Sequence, residues 1–393
     1  MTGPVMPTYA RMPVSFERGE GAWVWSTDGR RCLDAISGIA VCNLGHAHPA
    51  VAQAIADQAG KLVHTSNLYG IGLQEQLAAE LCALSGLDNA FFCNSGAEAN
   101  EAALKLARKY GHGKGIANPR VIVMENSFHG RTLFTLSATG NAKVQEGFEP
   151  LVDSFVRVPH GDAGAVAAIH DPDVVAVLVE PVQGEGGVRV PPDDYLPALR
   201  ELCDQRGWLL MLDEVQCGMA RTGRWFAFQH TGILPDVMTL AKALGNGVPI
   251  GACLAHGAAA DVLTAGKHGS TFGGNPLACR AALAVIDTLR AQNLTARAAE
   301  LGATLLEGFR SALAGNPHVV EVRGKGLMIG IELDRPCAEL TARALEQGLL
   351  INVTAERTIR LLPPLILSDD DARHLVDGVV GLINELTELT AHQ

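Results

Sequence analysis

Residues 174–214 run VVAVLVEPVQGEGGVRVPPDDYLPALRELCDQRGWLLMLDE, and this stretch decides the fold. Its two apolar runs, Val174 to Val179 and Leu209 to Leu212, have the length and apolar character of buried strands. Between them, the residues from Tyr195 to Arg206 carry apolar side chains at helical spacing. A strand, a helix and a second strand in this order predict two parallel strands of one sheet.

The same alternation extends toward the N-terminus. Phe91 to Cys93 precedes a helical segment from Ala97 to Tyr110, and Val121 to Met124 is a further apolar run. The sequence therefore predicts an α/β fold, with a large domain over residues 46–276 whose mostly parallel sheet is covered by helices on both faces.

The two ends of the chain show a different pattern of predicted helices and strands. Residues 277–393 predict a linker helix and a small α+β domain, and residues 1–45 predict an N-terminal arm with a hairpin signal at Trp23 to Gly29. The elements expected after residue 276 are a helix from about Leu277 to Leu313, strands within Val319 to Leu333, a helix from Cys337 to Gln347, strands around Leu349 to Val353 and Thr358 to Leu362, and a helix from Asp369 to about Leu389.

Composition excludes several classes of protein. The 393 residues are 48% hydrophobic, which argues against disorder, and their net charge of −11 repels nucleic acids and anionic membranes. The nine cysteines form no CxxC pair, no apolar run exceeds the length of a strand, and the first residues resemble no leader, so we expect a cytoplasmic protein with no membrane segment. His46 and His48 lack neighbours that would complete a ligand set, and we expect no metal site.

The first candidate segment is Asn94-Ser95-Gly96-Ala97-Glu98, which joins a predicted strand to a helix. Ser95 and Glu98 have the spacing of a capping box, so an ordinary capped helix would explain them. A helix N-terminus beside a glycine also offers free N–H groups and a positive dipole to a phosphate. Ser95 lacks the GxSxG context of a hydrolase nucleophile.

The second and third candidates are Asp213 and Lys242, each following an apolar strand. An apolar strand ending in Asp-Glu also resembles the Walker B segment of nucleotide hydrolases, but the sequence contains no GxxxxGK[ST]. Burial lowers the pKa of a lysine toward the neutral amine that condenses with carbonyls, although a lysine at a strand end also simply reaches solvent. A lysine, an acid and a phosphate-binding helix terminus together predict a pyridoxal 5′-phosphate site.

Two arginines are candidates for binding carboxylates. Phe128 and Arg131 lie in one loop after the strand that ends at Met124, and they combine an aromatic face with a guanidinium group. Arg360 lies within an apolar stretch, where an unpaired charge is costly. Each arginine alone would equally suit a structural ion pair.

In this order, the motifs resemble those of the class III (subgroup II) aminotransferases, which are pyridoxal-phosphate enzymes of fold type I. The resemblance covers nearly the whole chain. The segments that carry it are residues 38–41, 44–49, 64–67, 91–106, 126–133, 180–187, 212–216, 242–245, 270–276 and 360–364. It implies a large domain with a mostly parallel seven-stranded sheet, and a small α+β domain built from both ends of the chain.

The resemblance also implies a role for each candidate. Lys242 is implied to form the Schiff base and to shuttle the proton, and Asp213 to face the pyridine nitrogen. Arg131 and Arg360 correspond to the carboxylate-binding arginines of the family, with Glu185 covering Arg360. The other residues implied to bind the cofactor are Ser95, Gly96, Ala97, Phe128, Glu180, Gln216 beside the 3′-oxygen, and Thr271 from the neighbouring subunit of a homodimer.

Ile39 bears on the substrate, because family members that accept free ornithine have a tyrosine at this position. The resemblance therefore implies an acylated donor, above all N2-acetylornithine, whose terminal amine passes to 2-oxoglutarate. The products would be N-acetylglutamate 5-semialdehyde and glutamate, in arginine biosynthesis. Cys42-Asn43 departs from the expected Asn-Ala, so succinylornithine, succinyldiaminopimelate, ornithine and 4-aminobutyrate stay open as donors.

A second class of function is a pyridoxal-phosphate-binding regulator without turnover. The presence of Lys242, Asp213 and both arginines argues against it.

Overall fold

A computed structural model describes residues 4–391 of the chain. The strands are β1 (Phe16–Glu20), β2 (Trp23–Ser26), β3 (Arg31–Asp34), β4 (Asn89–Cys93), β5 (Arg120–Met124), β6 (Phe155–Val158), β7 (Val174–Val179), β8 (Leu209–Asp213), β9 (Val237–Leu240), β10 (Gly251–Ala255), β11 (Val319–Lys325), β12 (Met328–Leu333), β13 (Leu349–Leu350), β14 (Asn352–Thr354) and β15 (Thr358–Leu361).

Helices alternate with the strands over most of the chain. They are α1 (Ser37–Ala40), α2 (Pro49–Ala59), α3 (Gly72–Ser85), α4 (Gly96–Gly113), α5 (Leu133–Ala138), α6 (Ala142–Gln145), α7 (Ala163–Ala167), α8 (Tyr195–Arg206), α9 (Pro276–Ala291), α10 (Leu294–Ala312), α11 (Leu340–Glu346) and α12 (Asp369–Ala391). Short 3-10 turns cover Ala227–His230, Lys242–Leu244 and Gly257–Ala259.

The central sheet has seven strands in the order β4-β10-β9-β8-β7-β5-β6. Only β10 runs against its neighbours, pairing antiparallel with β4 and β9, while the other adjacent pairs are parallel. The prediction of a mostly parallel seven-stranded sheet is therefore confirmed. Because the connections between parallel strands must cross a face of the sheet, helices flank it.

The buried strand β8 shows how both faces of the sheet are covered. Leu209 and Met211 pack in the same cluster as the alanines of α4, whereas Leu210 and Leu212 pack with Leu199 and other apolar residues of α8. Alternate residues of a strand point to opposite faces, so a strand that is apolar throughout is buried on both sides.

Two smaller sheets contain the ends of the chain. One has the order β1-β2-β3-β13 and the other β11-β12-β15-β14. The strand expected around Leu349 to Val353 is divided at Ile351, since β13 pairs with β3 and β14 pairs with β15. This crossing ties the N-terminal arm to the C-terminal segment, while the domain limits at residues 45 and 276 stay predictions.

The single helix expected from about Leu277 to Leu313 is wrong. The structure has two helices, α9 and α10, separated at Gln292 and Asn293. Asn293 has a φ of 50°, a left-handed conformation that asparagine tolerates better than most residues. This conformation interrupts the right-handed helical backbone between α9 and α10.

Within residues 4–391, no helix combines the length and the apolar character needed to cross a bilayer.

Candidate active site

The carboxyl end of the central sheet forms the candidate site. Segments that follow β4, β5, β7, β8 and β9 meet there around a cavity of about 350 Å³, which is large enough for a small cofactor. The residues expected from the sequence that line it are Ser95, Gly96, Ala97, Phe128, Arg131, Glu180, Glu185, Asp213, Gln216 and Lys242.

The N-terminus of α4 forms one wall of this cavity. Ser95 is the N-cap, and its Oγ accepts a hydrogen bond from the Glu98 N–H at 3.2 Å and donates to the Glu98 carboxylate at 3.1 Å. The Ser95 half of the capping box is thus present, whereas the Glu98 carboxylate accepts from the N–H of Asn94 at 2.8 Å instead of that of Ser95. The N–H groups of Gly96 and Ala97 have no helical acceptors. These amides are placed to bind an anion.

Close packing explains why glycine stands at this wall. A Cβ on Gly96 would lie 2.8 Å from Cγ1 of Val215, and a Cβ on Gly130 would lie 2.8 Å from the Cβ of Ala97. Gly130 also has a φ of 140°, which L side chains rarely adopt. Glycine at these two positions therefore lets the start of α4, the segment after β8 and the Phe128 loop pack closely at the cavity.

Asp213 is held by residues that we did not predict. Its Oδ2 accepts from Nδ2 of Asn100 at 2.8 Å and lies 2.8 Å from Nδ1 of His129, and both partners are buried. Thr239 in turn donates to Oδ1 of Asn100 at 2.8 Å. The network orients the carboxylate of Asp213 within the cavity.

A sequence signal for these two partners exists. Asn100 follows Gly96 and Ala97 by four and three residues on α4, so it lies on the same helix face. His129 stands between Phe128 and Arg131 in the segment that was singled out.

Lys242 occupies the turn that follows β9, with a φ of 47°. A left-handed conformation at a residue other than glycine is strained and is often found at functional sites. Burial lowers the pKa of Lys242, opposed by the charges of Glu185, Asp213 and Glu180. A lysine with a lowered pKa supplies the neutral amine that attacks a carbonyl.

Glu180 is a second buried carboxyl group of the site. It accepts hydrogen bonds from the N–H of Phe128 at 2.9 Å and from that of Gly184 at 3.2 Å. The pKa of Glu180 is raised to about 7, because burial and the nearby charge of Asp213 outweigh the lowering by His129 and by the two backbone hydrogen bonds. Glu180 thereby fixes the loop that carries Phe128 against the segment that follows β7.

Arg360 is fully buried and paired with Glu185. Its Nη1 lies 2.5 Å from Oε1 of Glu185 and 3.3 Å from Oε1 of Gln216, and its Nε donates to Oδ1 of Asn352 at 2.8 Å. Burial opposes the ionisation of Glu185, but the charge and hydrogen bond of Arg360 hold the pKa of Glu185 below its usual value. The side chains of Glu185 and Gln216 line the cavity and lie between it and Arg360.

Arg131 is exposed at the mouth, 5.6 Å from the ring centroid of Phe128. It also lines an outer cavity of about 760 Å³, together with Glu185, Lys143 and Glu356. The two arginines therefore lie at different depths, one at the entrance and one behind the inner wall.

Besides Arg360, two predicted residues do not line the cavity of this chain. Thr271 is exposed and does not line it. Ile39 is 37% exposed, two residues before Val41, which does line it. The turn that carries Ile39 is strained, with a φ of 68° at this β-branched residue, and Asp34 holds it by accepting from the N–H groups of Ile36 and Ser37.

The residues fit pyridoxal phosphate in their chemistry. Free amides at a helix start suit its phosphate, a buried carboxylate suits its ring nitrogen, and Lys242 suits its aldehyde. Among the described residues, no group of three His, Cys, Asp or Glu side chains is placed to hold a metal ion.

Comparison with known proteins identifies the family of the chain. The family model "Aminotransferase class-III" matches residues 5–383. A protein named acetylornithine aminotransferase from Nitrosomonas europaea is 57% identical, over 98% of each chain.

Solved structures give the same result. An ornithine aminotransferase from Toxoplasma gondii superimposes with a TM-score of 0.95 at 36% identity, covering 98% of this chain and 93% of that one. An N-acetylornithine aminotransferase from Stenotrophomonas maltophilia has a TM-score of 0.85 at 36% identity, covering 97% of this chain and 98% of that one. The chain thus belongs to the class-III aminotransferases, and it is a pyridoxal-phosphate-dependent transaminase.

Proposed function

We propose that the protein transfers the terminal amino group of N2-acetylornithine to 2-oxoglutarate, giving N-acetylglutamate 5-semialdehyde and glutamate, as a step of cytoplasmic arginine biosynthesis. The observation that carries this proposal is the pair of arginines, one exposed at the mouth and one buried and covered by Glu185. Ile39 and the 57% identity to an acetylornithine aminotransferase support the acylated donor.

Several residues of the cavity have a task toward the cofactor. Lys242 would hold it, and the amine of Lys242 would take the proton from the amine-bearing carbon of the substrate. Asp213 would hold a proton on the ring nitrogen, the amides of Gly96 and Ala97 would bind the phosphate, and Phe128 would cover the ring. When bound, pyridoxal phosphate supplies the electron sink for this chemistry.

Ser95, Glu180 and Gln216 have supporting tasks in the proposal. Ser95 caps the helix that presents the phosphate-binding amides, and Glu180 fixes the Phe128 loop. Gln216 would bind beside the 3′-oxygen of the cofactor, and its Oε1 accepts from Arg360.

The two arginines explain how one site accepts two substrates. The carboxylate of acetylornithine lies far from its reacting amine and pairs with Arg131 at the mouth. Arg360 would then face an uncharged part of this donor, and Glu185 neutralises it there. 2-Oxoglutarate instead displaces Glu185, gives its α-carboxylate to Arg360 and its distal carboxylate to Arg131.

Replacing Glu185 with alanine is expected to raise the rate of the glutamate half-reaction, relative to that of acetylornithine, by about tenfold. Removing the carboxylate leaves Arg360 open to an α-carboxylate at all times. Single-turnover rates with each donor measure the ratio, and Glu125→Ala, which removes an exposed carboxylate of the outer cavity, is the control. An equal decrease in both rates would mean that Glu185 is only structural.

A homodimer with the active site at its interface is part of the proposal. Exposed apolar side chains, Leu62, Val63, Leu68, Tyr69 and Phe272, lie near the loop that carries Thr271. Asn67 links the two segments, since its Nδ2 donates to the carbonyls of Ser270 and Gly273 at 3.0 Å each. Exposed apolar surface of this kind is typical of an interface.

We expect Thr271 to act on the cofactor phosphate of the opposite subunit. An inactive Lys242→Ala protein mixed with an inactive Thr271→Asp protein would then regain activity, since one site of each hybrid has both intact residues. Equal mixing would restore about a quarter of the wild-type turnover. The measurement is activity after subunit exchange confirmed by mass spectrometry. No recovery would show that each site is built from one chain.

A panel of amino donors with 2-oxoglutarate tests the function itself. Acetylornithine is expected to convert the visible absorption band of the holoenzyme to that of its amine form and to give the highest kcat/KM. Faster turnover of succinylornithine, succinyldiaminopimelate, ornithine or 4-aminobutyrate would replace the proposed donor. A band unchanged by every donor and by glutamate would instead indicate a non-catalytic binding protein.

A further inference from the structure

The loop that carries Glu185 is held in a strained conformation. Gln183 and Arg189 pair across it through two backbone hydrogen bonds of 3.0 Å, so residues 183–189 form a closed loop. Val188, a β-branched residue, has a φ of 51°. Such a conformation persists only where surrounding contacts impose it.

Those contacts come from the C-terminal sheet. Arg323, on β11 and 7% exposed, donates from Nη2 to the carbonyl of Gly187 at 2.5 Å and from Nε to that of Val188 at 2.9 Å. Thr354, on β14, donates to the carbonyl of Glu185 at 2.5 Å. The loop is therefore bound through three of its carbonyl groups.

Glu332 fixes the direction of Arg323. Its buried carboxylate lies 2.5 Å from Nη1 of Arg323, and it also pairs with Arg189 at 2.9 Å and Arg357 at 2.8 Å. Although burial opposes ionisation, the hydrogen bond and charge of Arg323 and the charge of Arg189 hold the pKa of Glu332 below its usual value. Nη1 also donates to the half-exposed Glu321 at 2.7 Å, so the guanidinium fork of Arg323 joins two carboxylates to two carbonyls.

The same sheet presents Arg360. Strand β12, which carries Glu332, pairs with β15, and Gly330 lies opposite Arg360 in that pairing. The anchors of the loop and the arginine that Glu185 covers therefore belong to one rigid element.

We propose that Arg323, oriented by Glu332, is a positioning residue that holds the 183–189 loop so that Glu185 covers Arg360, and thereby sets the preference between the two substrates. This inference rests on the proposed function, in which Glu185 must leave Arg360 before a dicarboxylate binds. A firmly anchored loop makes that displacement costly, so it favours the donor that leaves Arg360 covered. Weakening the anchor favours the dicarboxylate.

Arg323→Lys tests this role. Lysine keeps a positive charge near Glu332, but its single ammonium group cannot reproduce the fork that reaches two carbonyls. Arg189 and Arg357 still pair with Glu332, so no buried charge is left alone. The matched control is Arg297→Lys in the same part of the chain, because Arg297 donates to the carbonyl of Leu367 at 2.6 Å and to Asp369 at 2.7 Å but is not among the contacts of the loop.

Two measurements are made on the holoenzymes. The first is the ratio of the single-turnover rates with glutamate and acetylornithine, which we expect Arg323→Lys to raise about fivefold. The second is the Kd of glutarate, a five-carbon dicarboxylate that cannot react, which we expect to fall by a similar factor. Arg297→Lys is expected to change neither quantity, even if it lowers the melting temperature as much.

The outcomes separate this inference from the proposed function. If wild-type enzyme reacts with both donors and Arg323→Lys matches Arg297→Lys in both measurements, Arg323 is only structural and the inference is wrong. A parallel decrease in both rates with no change in glutarate affinity has the same meaning. If wild-type enzyme fails to react with acetylornithine, the proposed donor is wrong, and tighter glutarate binding by Arg323→Lys would still support the anchoring role.

Discussion

Replacing Lys242 with alanine is expected to abolish transamination, lowering the glutamate half-reaction by more than about four orders of magnitude. Lys242 is the one lysine among the residues that line the inner cavity, and burial has already lowered its pKa. No other amine of the cavity lining can take the proton from the substrate carbon. The measurement is the rate at which glutamate changes the cofactor spectrum in a single turnover.

Cofactor binding should survive this change in part. The amides of Gly96 and Ala97 and the carboxylate of Asp213 do not depend on the lysine, so the variant should retain some pyridoxal phosphate after gel filtration. Lys114→Ala is the control, because Lys114 is exposed at the far end of α4, an 18-residue helix of about 27 Å. Turnover of Lys242→Ala near the wild-type rate would overturn the assignment.

The location of the site could be predicted from the sequence because it depends on local patterns. Strands such as β7 and β8 are apolar throughout, so their limits are visible, and the residue after each run must lie at one edge of a parallel sheet. Asp213 and Lys242 were found in this way. The partners of Asp213 were not, because a hydrogen bond such as that between Asn100 and Asp213 joins residues 113 positions apart.

The pairing of short strands was also beyond prediction. Strand β10, GACLA, has too few β-branched residues for its class to be clear, and its antiparallel direction follows from its placement between β4 and β9. The division of the strand region at Ile351 depends on β3, which lies more than 300 residues earlier. The anchoring of the Glu185 loop by Arg323 is likewise a contact between distant segments.

Asp213→Asn is expected to lower the rate of both half-reactions by about a thousandfold, or ~4 kcal/mol of barrier. An amide cannot hold a proton on the ring nitrogen, because it carries no charge to stabilise the protonated ring. It also loses one acceptor: Oδ2 now receives donors from Asn100 and His129, and an NH2 group in that position would face two donors.

The matched control for this change is Asp236→Asn, since Asp236 precedes β9 at the opposite edge of the sheet and pairs with Arg200 instead of lining the cavity. That control should lose stability but keep kcat, whereas Asp213→Asn should lose kcat while the protein stays folded and binds the cofactor. A decrease of less than about tenfold, or ~1.4 kcal/mol, would mean that another acid holds the ring nitrogen.

Glu180 is then the group to replace next, because it is the other carboxyl of the cavity whose charge acts on Lys242 and Asp213 together. Since burial raises the pKa of Glu180 to about 7, activity that depended on its carboxylate would be lost as the pH fell below 7.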